Sequence, residues 1–301
     1  MLDRFELLLA LAKERHFGRA AEACGVTQPT LSAGLKQLEE ALGVRLVERG
    51  SRFIDFTPEG ERALVWARRI IGDARAMRQE ITALKKGLTG HLRIAAVPTA
   101  MPMLSELTTP YRLRHDSVQF TLVSATSKEV LRLIENLEVD AGVTYLDNEP
   151  LGRVKTVPLY REGYRFLTSL GAPLGDRDSV TWKEIGQVPL CLLTPDMQNR
   201  RIVEAELTRA GHTVAPTLES NSTIALLSHV RTGQWSSVVP TTLADVFSFP
   251  STIRSLPIVD PEVVHEIGLV VLDRDPMTPI TAALVAEARR LGPELMKRFR
   301  P

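Results

Sequence analysis

Residues 18–42 read GRAAEACGVTQPTLSAGLKQLEEAL, and this stretch decides the fold of the first part of the chain. A short alanine-rich helix is predicted to end at Gly25, which can adopt a positive φ at little cost. Thr27 then suits the N-cap of a second helix, with Pro29 in its first turn. The leucines that follow recur at spacings of four, three and four residues, which predicts one buried stripe of Leu31, Leu35, Leu38 and Leu42.

The residues outside this stripe, near the start of the second helix, are mostly polar. They are candidate DNA contacts, because a recognition helix reads base edges with its N-terminal residues. The candidates are Thr27, Gln28, Pro29, Thr30, Ser32 and Lys36. On spacing alone, an ordinary helical hairpin with a solvated polar face remains the alternative.

The segments on either side extend this unit. Residues 2–14 place Phe5, Leu8, Leu9 and Ala12 on one helical face, which predicts a third helix packed on the pair. Residues 45–49 and 52–56 are strand-like runs around Gly50 and Ser51, so they predict a β-hairpin wing. Arg49 and Arg52 lie near its tip, where they could meet phosphate or enter a minor groove. Solvated surface arginines are the alternative.

A long helix is predicted for residues 58–88, with Thr57 as its N-cap and Pro58 at its first position. Its apolar residues alternate at spacings of four and three, which predicts a two-helix seam between copies of the chain. The members of this seam are Ala63, Ala67, Ile70, Ala74, Met77, Ile81, Leu84 and Leu88. A helix packed on its own chain is the alternative.

Beyond Gly90 the pattern changes to alternating strands and helices, which predicts α/β architecture with mainly parallel sheets and two lobes. In such sheets, ligands bind beyond the carboxyl ends of the strands. Hydroxyl- and amide-rich residues follow several predicted strands, and helix starts of this kind bind small anions. The candidate effector-binding residues are Thr99, Ala100, Ser124, Thr126, Thr144, Thr194, Gln198, Asn221, Thr223 and Trp235. The hydroxyls could instead only cap their helices, and Trp235 could be core or interface.

Composition narrows the class of protein. No run of about 18 apolar residues occurs and the N-terminus lacks a signal-peptide pattern, so a cytoplasmic protein without a membrane partner is expected. The two cysteines, Cys24 and Cys191, lie far apart and suit a reducing compartment. Motifs for nucleophilic catalysis, phosphate loops or metal ligands are missing, so no enzyme activity, cofactor or metal is expected.

The sequence resembles the LysR-type transcriptional regulators. The residues that carry the resemblance are Ala20-Ala21, Thr27 to Ser32, Leu38 to Arg49 and Thr57 to Gly60. The resemblance implies a winged helix-turn-helix, a linker helix and a two-lobed effector domain like the periplasmic binding proteins. It also implies double-stranded promoter DNA, RNA polymerase and a small-molecule effector as partners, and a homodimer or homotetramer. By matching positions, Gln28, Pro29, Ser32 and Arg52 would meet DNA, while Thr99, Thr126 and residues 194–198 would line the cleft.

Two departures from the family pattern stand out. Many members have arginine directly after the recognition-helix serine, where this chain has Ala33, so one contact to DNA is missing. The second is Gly233-Gln234-Trp235, where members often have Gly-x-Gly.

The peroxide-sensing members carry a cysteine pair in the second lobe, but Gln198 stands where the reactive cysteine would fall. A thiol switch is therefore not expected.

The sequence thus predicts a DNA-binding domain over 1–57, a linker and dimerisation helix over 58–90, and an effector domain over 91–301. Within the last, lobe 1 is expected at about 91–160 and 266–301, and lobe 2 at about 161–265. The predicted function is transcriptional regulation under control of a small anionic metabolite bound between the lobes. The alternatives are a redox-sensing regulator, or a small-molecule-binding or enzymatic α/β protein with an N-terminal oligomerisation element.

Overall fold

A computed structural model describes residues 1–49, 53–147, 149–246 and 251–299. The chain forms two compact units. The first contains Met1–Leu88 with the segments Glu135–Glu138 and Arg274–Pro279, and the second contains Thr89–Ile134, Val139–Asp273 and Ile280–Pro301. The predicted fold class is confirmed, because a helix-turn-helix with a wing and a long helix precedes a two-lobed α/β region. The domain boundaries at residues 57 and 90 stay predictions.

Three helices form the core of the first unit. They are α1 (Leu2–Glu14), α2 (Phe17–Ala23) and α3 (Gln28–Leu42). Thr27 caps α3 as predicted, since its Oγ1 accepts a hydrogen bond of 3.4 Å from the backbone N–H of Thr30. The leucine stripe is confirmed for Leu31, Leu35 and Leu38, which are all fully buried.

The fourth leucine of that stripe was predicted wrongly. Leu42 is the last residue of α3 and remains 42% exposed. Gly43 follows with φ 70°, the left-handed conformation that ends many helices. The helical period therefore carries Leu42 past the edge of the core.

The wing consists of the antiparallel strands β1 (Val47–Arg49) and β2 (Phe53–Phe56). Helix α4 (Pro58–Lys86) starts directly after it, and Thr57 Oγ1 both accepts from the N–H of Gly60 and donates to the carbonyl of Arg45. A Cβ at Gly60 would lie 2.0 Å from the carbonyl oxygen of Leu46. Only glycine allows this approach of the helix to the wing.

The N-terminal half of α4 packs on its own chain. Leu64, Ala67 and Ile71 belong to the helix-turn-helix core, and Ala63 and Ile70 pack against it. The seam predicted from Ala63 to Leu88 is therefore wrong for this half of the helix, where the own-chain alternative holds.

The C-terminal half of α4 is different. Met77, Ile81 and Leu84 are exposed by 57, 50 and 84%. All three belong to the predicted seam, so an apolar row remains on this half of the helix.

The second unit begins with a five-stranded sheet in the order β4-β3-β5-β13-β6. Its strands are β3 (Gly90–Ala96), β4 (Val118–Ser124), β5 (Ala141–Tyr145), β6 (Val154–Glu162) and β13 (His265–Leu272). The helices of this lobe are α5 (Leu104–Arg114), α6 (Ser127–Glu135) and α11 (Pro279–Arg298), and a 3-10 segment spans Pro98–Met103. We call this lobe 1.

Lobe 2 holds a four-stranded sheet in the order β11-β7-β12-β8 and a parallel pair, β9 with β10. Its strands are β7 (Tyr164–Ser169), β8 (Val180–Thr181), β9 (Cys191–Leu193), β10 (Leu218–Ser220), β11 (Ser237–Pro240) and β12 (Ile253–Val259). Its helices are α7 (Trp182–Ile185), α8 (Gln198–Arg209), α9 (Thr223–Val230) and α10 (Thr241–Val246). Strands β8 and β12 were not predicted.

The prediction of mainly parallel sheets is wrong for the described part of this unit. Strand β13 is antiparallel to both β5 and β6, and β7 is antiparallel to both β11 and β12. The chain crosses from lobe 1 to lobe 2 at Gly163 and returns through residues 260–264. A strand that arrives from the other lobe enters its sheet from the opposite end, which gives the antiparallel pairings.

Within the described residues, no helix is long and apolar enough to span a membrane.

Candidate DNA-binding surface and effector site

The first turn of α3 presents the predicted DNA contacts to solvent. Thr27, Gln28, Pro29 and Thr30 are exposed, Ser32 is half-buried and Lys36 is exposed. This follows from the leucine stripe, which turns the opposite face of the helix inward. The surface is therefore compatible with base and phosphate contacts, and the individual contacts stay predictions.

Not all of these polar groups are equally free. The hydroxyls of Thr27 and Thr30 lie 2.8 Å apart and form a hydrogen bond with each other. Lys36 Nζ lies 3.8 Å from the Glu40 carboxylate in an exposed ion pair, which contributes little stability. The side-chain amide of Gln28 is the most versatile exposed group here, since it can donate and accept together. Arg52 lies outside the described residues, and only the backbone of Arg49 is described, as the end of β1.

The predicted effector-binding residues occupy different environments in the second unit. Those in lobe 1 begin at the 3-10 segment, where Thr99 and Ala100 are buried, and continue to β5, where Thr144 is buried. Thr126 is half-buried and caps α6, with its Oγ1 accepting from the N–H of Glu129 at 3.2 Å. Ser124 is exposed at the end of β4.

In lobe 2, Gln198 is buried as the first residue of α8, and Thr194 is half-buried just before it. Asn221 is exposed and Thr223 is half-buried at the start of α9, where Ser222 supplies the N-cap.

Trp235 takes the packing role that the sequence left open. Its ring packs against the core of lobe 2 that contains Leu226 and Val230. Its Nε1 donates to Thr217 Oγ1 at 2.9 Å, and the edge of the His229 ring meets it at a centroid distance of 5.5 Å. Effector binding by Trp235 therefore stays a prediction without a supporting contact.

The side chain of Arg201 joins the starts of α6 and α8. Its Nε donates to Gln198 Oε1 at 2.9 Å and its Nη1 donates to the Asp196 carbonyl at 2.7 Å. Its Nη2 donates to Ser127 Oγ at 3.3 Å and forms an ion pair with Glu149. Ser127 belongs to lobe 1 and Gln198 to lobe 2, so Arg201 links the two lobes.

A buried polar cluster lies where the chain crosses between the lobes. Glu162 ends β6 and is fully buried, and its Oε1 accepts a hydrogen bond of 2.6 Å from the Tyr145 hydroxyl. Tyr160 and Tyr164 flank it, and the His265 ring lies 6.2 Å from both the Tyr145 and Tyr164 rings. Glu162 Oε2 has no hydrogen-bond partner among the described residues. Thr144 Oγ1, on the same strand as Tyr145, is also buried without a hydrogen-bond partner among the described residues.

Burial dominates the electrostatics of this cluster. Burial raises the pKa of Glu162 to about 8, although the hydrogen bond from Tyr145 lowers it, and the Asp147 carboxylate raises it further. Burial likewise raises the pKa of the Tyr145, Tyr160 and Tyr164 hydroxyls well above their usual value. Glu162 is therefore mostly protonated at neutral pH.

Sequence reasoning missed this cluster, but a signal was present. The run Tyr160-Arg161-Glu162-Gly163-Tyr164 places two tyrosines two residues on either side of a glutamate. In an extended chain these three side chains share one face. A carboxylate between aromatic residues on one face indicates a buried acid.

The two cysteines have environments that disfavour reactive thiols. Cys191 is buried in β9, its Sγ donates to the Leu226 carbonyl at 3.7 Å, and burial raises its pKa to about 11. Burial also raises the pKa of Cys24, with a smaller effect from Glu6. A thiol in this state is mostly protonated and a poor nucleophile at neutral pH. Among the described residues, no group of three potential metal-ligating side chains comes together.

Comparison with known families decides the relationship. The family model of bacterial regulatory helix-turn-helix proteins of the lysR family matches residues 2–61. The model of the LysR substrate binding domain matches residues 85–292. The chain belongs to the LysR family of bacterial transcriptional regulators. The resemblance inferred from residues 18–60 is therefore confirmed.

Individual relatives within the LysR family carry peroxide-related names. A probable hydrogen peroxide-inducible genes activator from Streptomyces viridosporus is 33% identical over 194 residues, which cover 64% of this chain but only 62% of that protein. The hydrogen peroxide-inducible genes activator of Dickeya chrysanthemi is 26% identical over 273 residues, 90% of this chain and 89% of the relative. A full-length cysteine-to-aspartate variant of OxyR from Pseudomonas aeruginosa has a TM-score of 0.73 at 26% identity, covering 97% of this chain and 99% of that structure.

The raised pKa of Glu162 predicts a specific dependence of stability on pH. The folded chain holds a proton up to about pH 8, whereas the unfolded chain releases it near the ordinary value of 4.5. The folded state therefore loses stability as pH rises between these two values, by an amount on the order of a few kcal/mol. The variant Glu162→Gln keeps an acceptor for Tyr145 without a charge and should lack this slope. Chemical denaturation at about pH 5, 7 and 9 measures it.

Glu262→Gln is the matched control, because Glu262 is exposed and should retain the wild-type slope. Parallel stability curves for the wild type and Glu162→Gln would contradict the protonated state of Glu162.

Proposed function

We propose that this LysR-family regulator reads promoter DNA with α3 and the wing, under control of a small anionic effector bound between the lobes. The observation that carries the DNA part is the exposed polar first turn of α3 above a fully buried leucine stripe. A helix held in this way can enter a major groove without losing its core packing. Bound to a promoter, such a protein would act on RNA polymerase.

Gln28 carries the greatest weight in sequence recognition. Its amide can form paired hydrogen bonds with a base edge, whereas the hydroxyls of Thr27 and Thr30 already bond to each other. Ala33 offers no polar group at the position where family members often have arginine. Lys36 suits a phosphate, since an exposed ammonium contributes charge without base specificity.

A second copy of the chain fits the exposed end of α4. Met77, Ile81 and Leu84 lie on one side of the helix at spacings of four and three residues, and they remain exposed. Trp66, 55% exposed, adds a large apolar side chain nearer the wing. Dimerisation through this row supplies two recognition helices for two half-sites, and a homotetramer would pair two such dimers.

The effector part rests on the starts of α6 and α8. Both helices begin at the carboxyl end of a strand, and Arg201 connects them across the lobes. Met197, the N-cap of α8, provides no side-chain hydrogen bond to the first turn. Free N–H groups and a guanidinium together favour an anion.

Redox sensing is the second candidate, because relatives are named for induction by hydrogen peroxide. The thiols of this chain support it poorly. Gln198 stands at the start of α8, where the peroxide-sensing members have a cysteine, and Cys191 is buried with a raised pKa. Cys24 belongs to the first unit and Cys191 to the second. We therefore favour a bound metabolite over a thiol switch.

Gln28→Ala should reduce affinity for the DNA upstream of the chain's own gene about 10- to 100-fold and leave non-specific binding unchanged. Lys36→Ala should weaken both kinds of binding and lower the salt slope by about one. Fluorescence anisotropy over a salt series separates the two effects. Lys86→Ala, the same charge change in the last turn of α4, is the control. Equal losses on specific and random DNA for Gln28→Ala would argue against base reading.

Ile81→Asp should shift the full-length chain toward smaller assemblies, because it places a carboxylate in the proposed apolar seam. Analytical ultracentrifugation over a concentration series measures the change. Thr82→Asp introduces the same charge at an exposed neighbouring position off the row and should behave like the wild type. An unchanged assembly state in Ile81→Asp would exclude this seam.

Hydrogen peroxide should leave DNA affinity unchanged, because neither thiol has the environment of a reactive thiolate. Anisotropy before and after peroxide treatment, with intact-protein mass spectrometry, tests this in the wild type and in the Cys24→Ser and Cys191→Ser variants. A peroxide-dependent change in affinity that disappears in either variant would restore the redox alternative.

A further inference from the structure

We propose that the cavity beside Arg201 binds a small organic carboxylate, which takes the place that Glu149 now holds on the guanidinium. This inference rests on the proposed control by an anionic effector and assigns its site and chemistry. The cavity has a volume of about 580 Å³, within the range of small-molecule sites. Its polar walls are Glu149, Gln198, Arg201, Glu206, Arg209, Glu262 and His265.

Neutral acceptors hold Arg201 in place. The carbonyl of Asp196, the amide oxygen of Gln198 and the hydroxyl of Ser127 each accept from it. Among the contacts of Arg201 with the described residues, Glu149 is the negatively charged partner. Removal of Glu149 would therefore leave the guanidinium in position but without a counter-ion.

Glu149 is an incomplete partner. One carboxylate oxygen, Oε1, forms the ion pair, but Oε2 is buried without a hydrogen-bond partner in the described part of the chain. A buried carboxylate oxygen without a donor carries a desolvation cost. Glu149 also lies in the connection between β5 and β6 and not in either strand, so its displacement breaks no sheet pairing. An external carboxylate can thus compete with it.

The remaining walls define the rest of the ligand. Ile202, Ala205, Pro261, Val263 and Val264 also line the cavity. These side chains favour a short apolar body attached to the carboxylate. The carboxylate end would gain from the planar donors of Arg201 and from the free N–H groups at the start of α8.

Displacement of Glu149 from Arg201 by a ligand would alter the contact between the lobes. Glu149 follows β5 of lobe 1, whereas Arg201 belongs to α8 of lobe 2. Their ion pair therefore joins the lobes. A bound carboxylate would satisfy Arg201 from within the cavity and break this ion pair, so that the hydrogen bond to Ser127 remains as the link from Arg201 to lobe 1. Ligand binding would thereby change the contacts between the lobes.

Pentanoate is the probe, because it combines one carboxylate with a short apolar chain, and pentanamide is its neutral counterpart. In the full-length chain, Glu149→Gln should bind pentanoate about tenfold more tightly than the wild type, because the internal competitor has lost its charge. Glu294→Gln makes the same charge change at an exposed position of α11 outside the cavity and should stay within about twofold of the wild type. Arg201→Gln should lose pentanoate binding. Isothermal titration calorimetry measures all four proteins, and thermal unfolding checks that each is folded.

Several results would overturn the inference. These are equal pentanoate affinity in the wild type and Glu149→Gln, retained binding in Arg201→Gln, equal binding of pentanamide, or preference for pentylamine over pentanoate. If instead Arg201→Gln does not fold, Arg201→Lys should bind pentanoate more weakly than the wild type, and unchanged affinity overturns the inference. Specific DNA binding is measured on the same proteins. If it persists while pentanoate fails, the inference is wrong but the DNA-binding function stands.

Discussion

The hydrogen bond between Tyr145 and Glu162 lies at the point on which the two-lobed architecture depends. Tyr145 ends β5 and Glu162 ends β6, and two residues later the chain enters lobe 2 as β7. The returning strand β13 begins at His265, which pairs with Glu162 in register. A charged carboxylate in this dry position would be costly, so the protonated form and its phenol partner preserve the crossing. The joint between the lobes is thus polar but close to neutral.

Local sequence patterns predicted the first unit well because its helices are held by short-range rules. The caps at Thr27 and Thr57, the turn at Gly25 and the leucine spacing act within a few residues. Errors appeared where a pattern continued past the element that it described. Leu42 keeps the leucine spacing but lies beyond the core, and the apolar row of α4 packs on its own chain in the first half of the helix but is exposed in the second. The spacing of apolar residues identifies the apolar face of a helix. What packs against that face depends on the tertiary structure.

The candidate effector site was less accessible to sequence reasoning. The starts of α6 and α8 could be located from their strand-helix junctions, so the positions of Thr126 and Gln198 at these helix starts were predictable. Arg201 contacts Glu149 and Ser127 from far along the chain, and Glu162 gains its character from burial by three tyrosines. Such roles arise from packing between segments that have no fixed sequence separation. The antiparallel strands were missed for the same reason, since their direction follows from the crossings between lobes.

The absence of a side chain at Gly60 has a geometric consequence for the DNA site that a dimer of this chain would bind. Any side chain at this position would meet the backbone of Leu46, so the start of α4 lies directly against the residue that precedes the wing. Helix α4 is about 44 Å long, at about 1.5 Å per residue. In a dimer joined near the far end of α4, the two α4 helices would fix the distance between the two DNA-binding domains. The spacing of DNA half-sites would then be set by the length of a helix and the angle of its crossing.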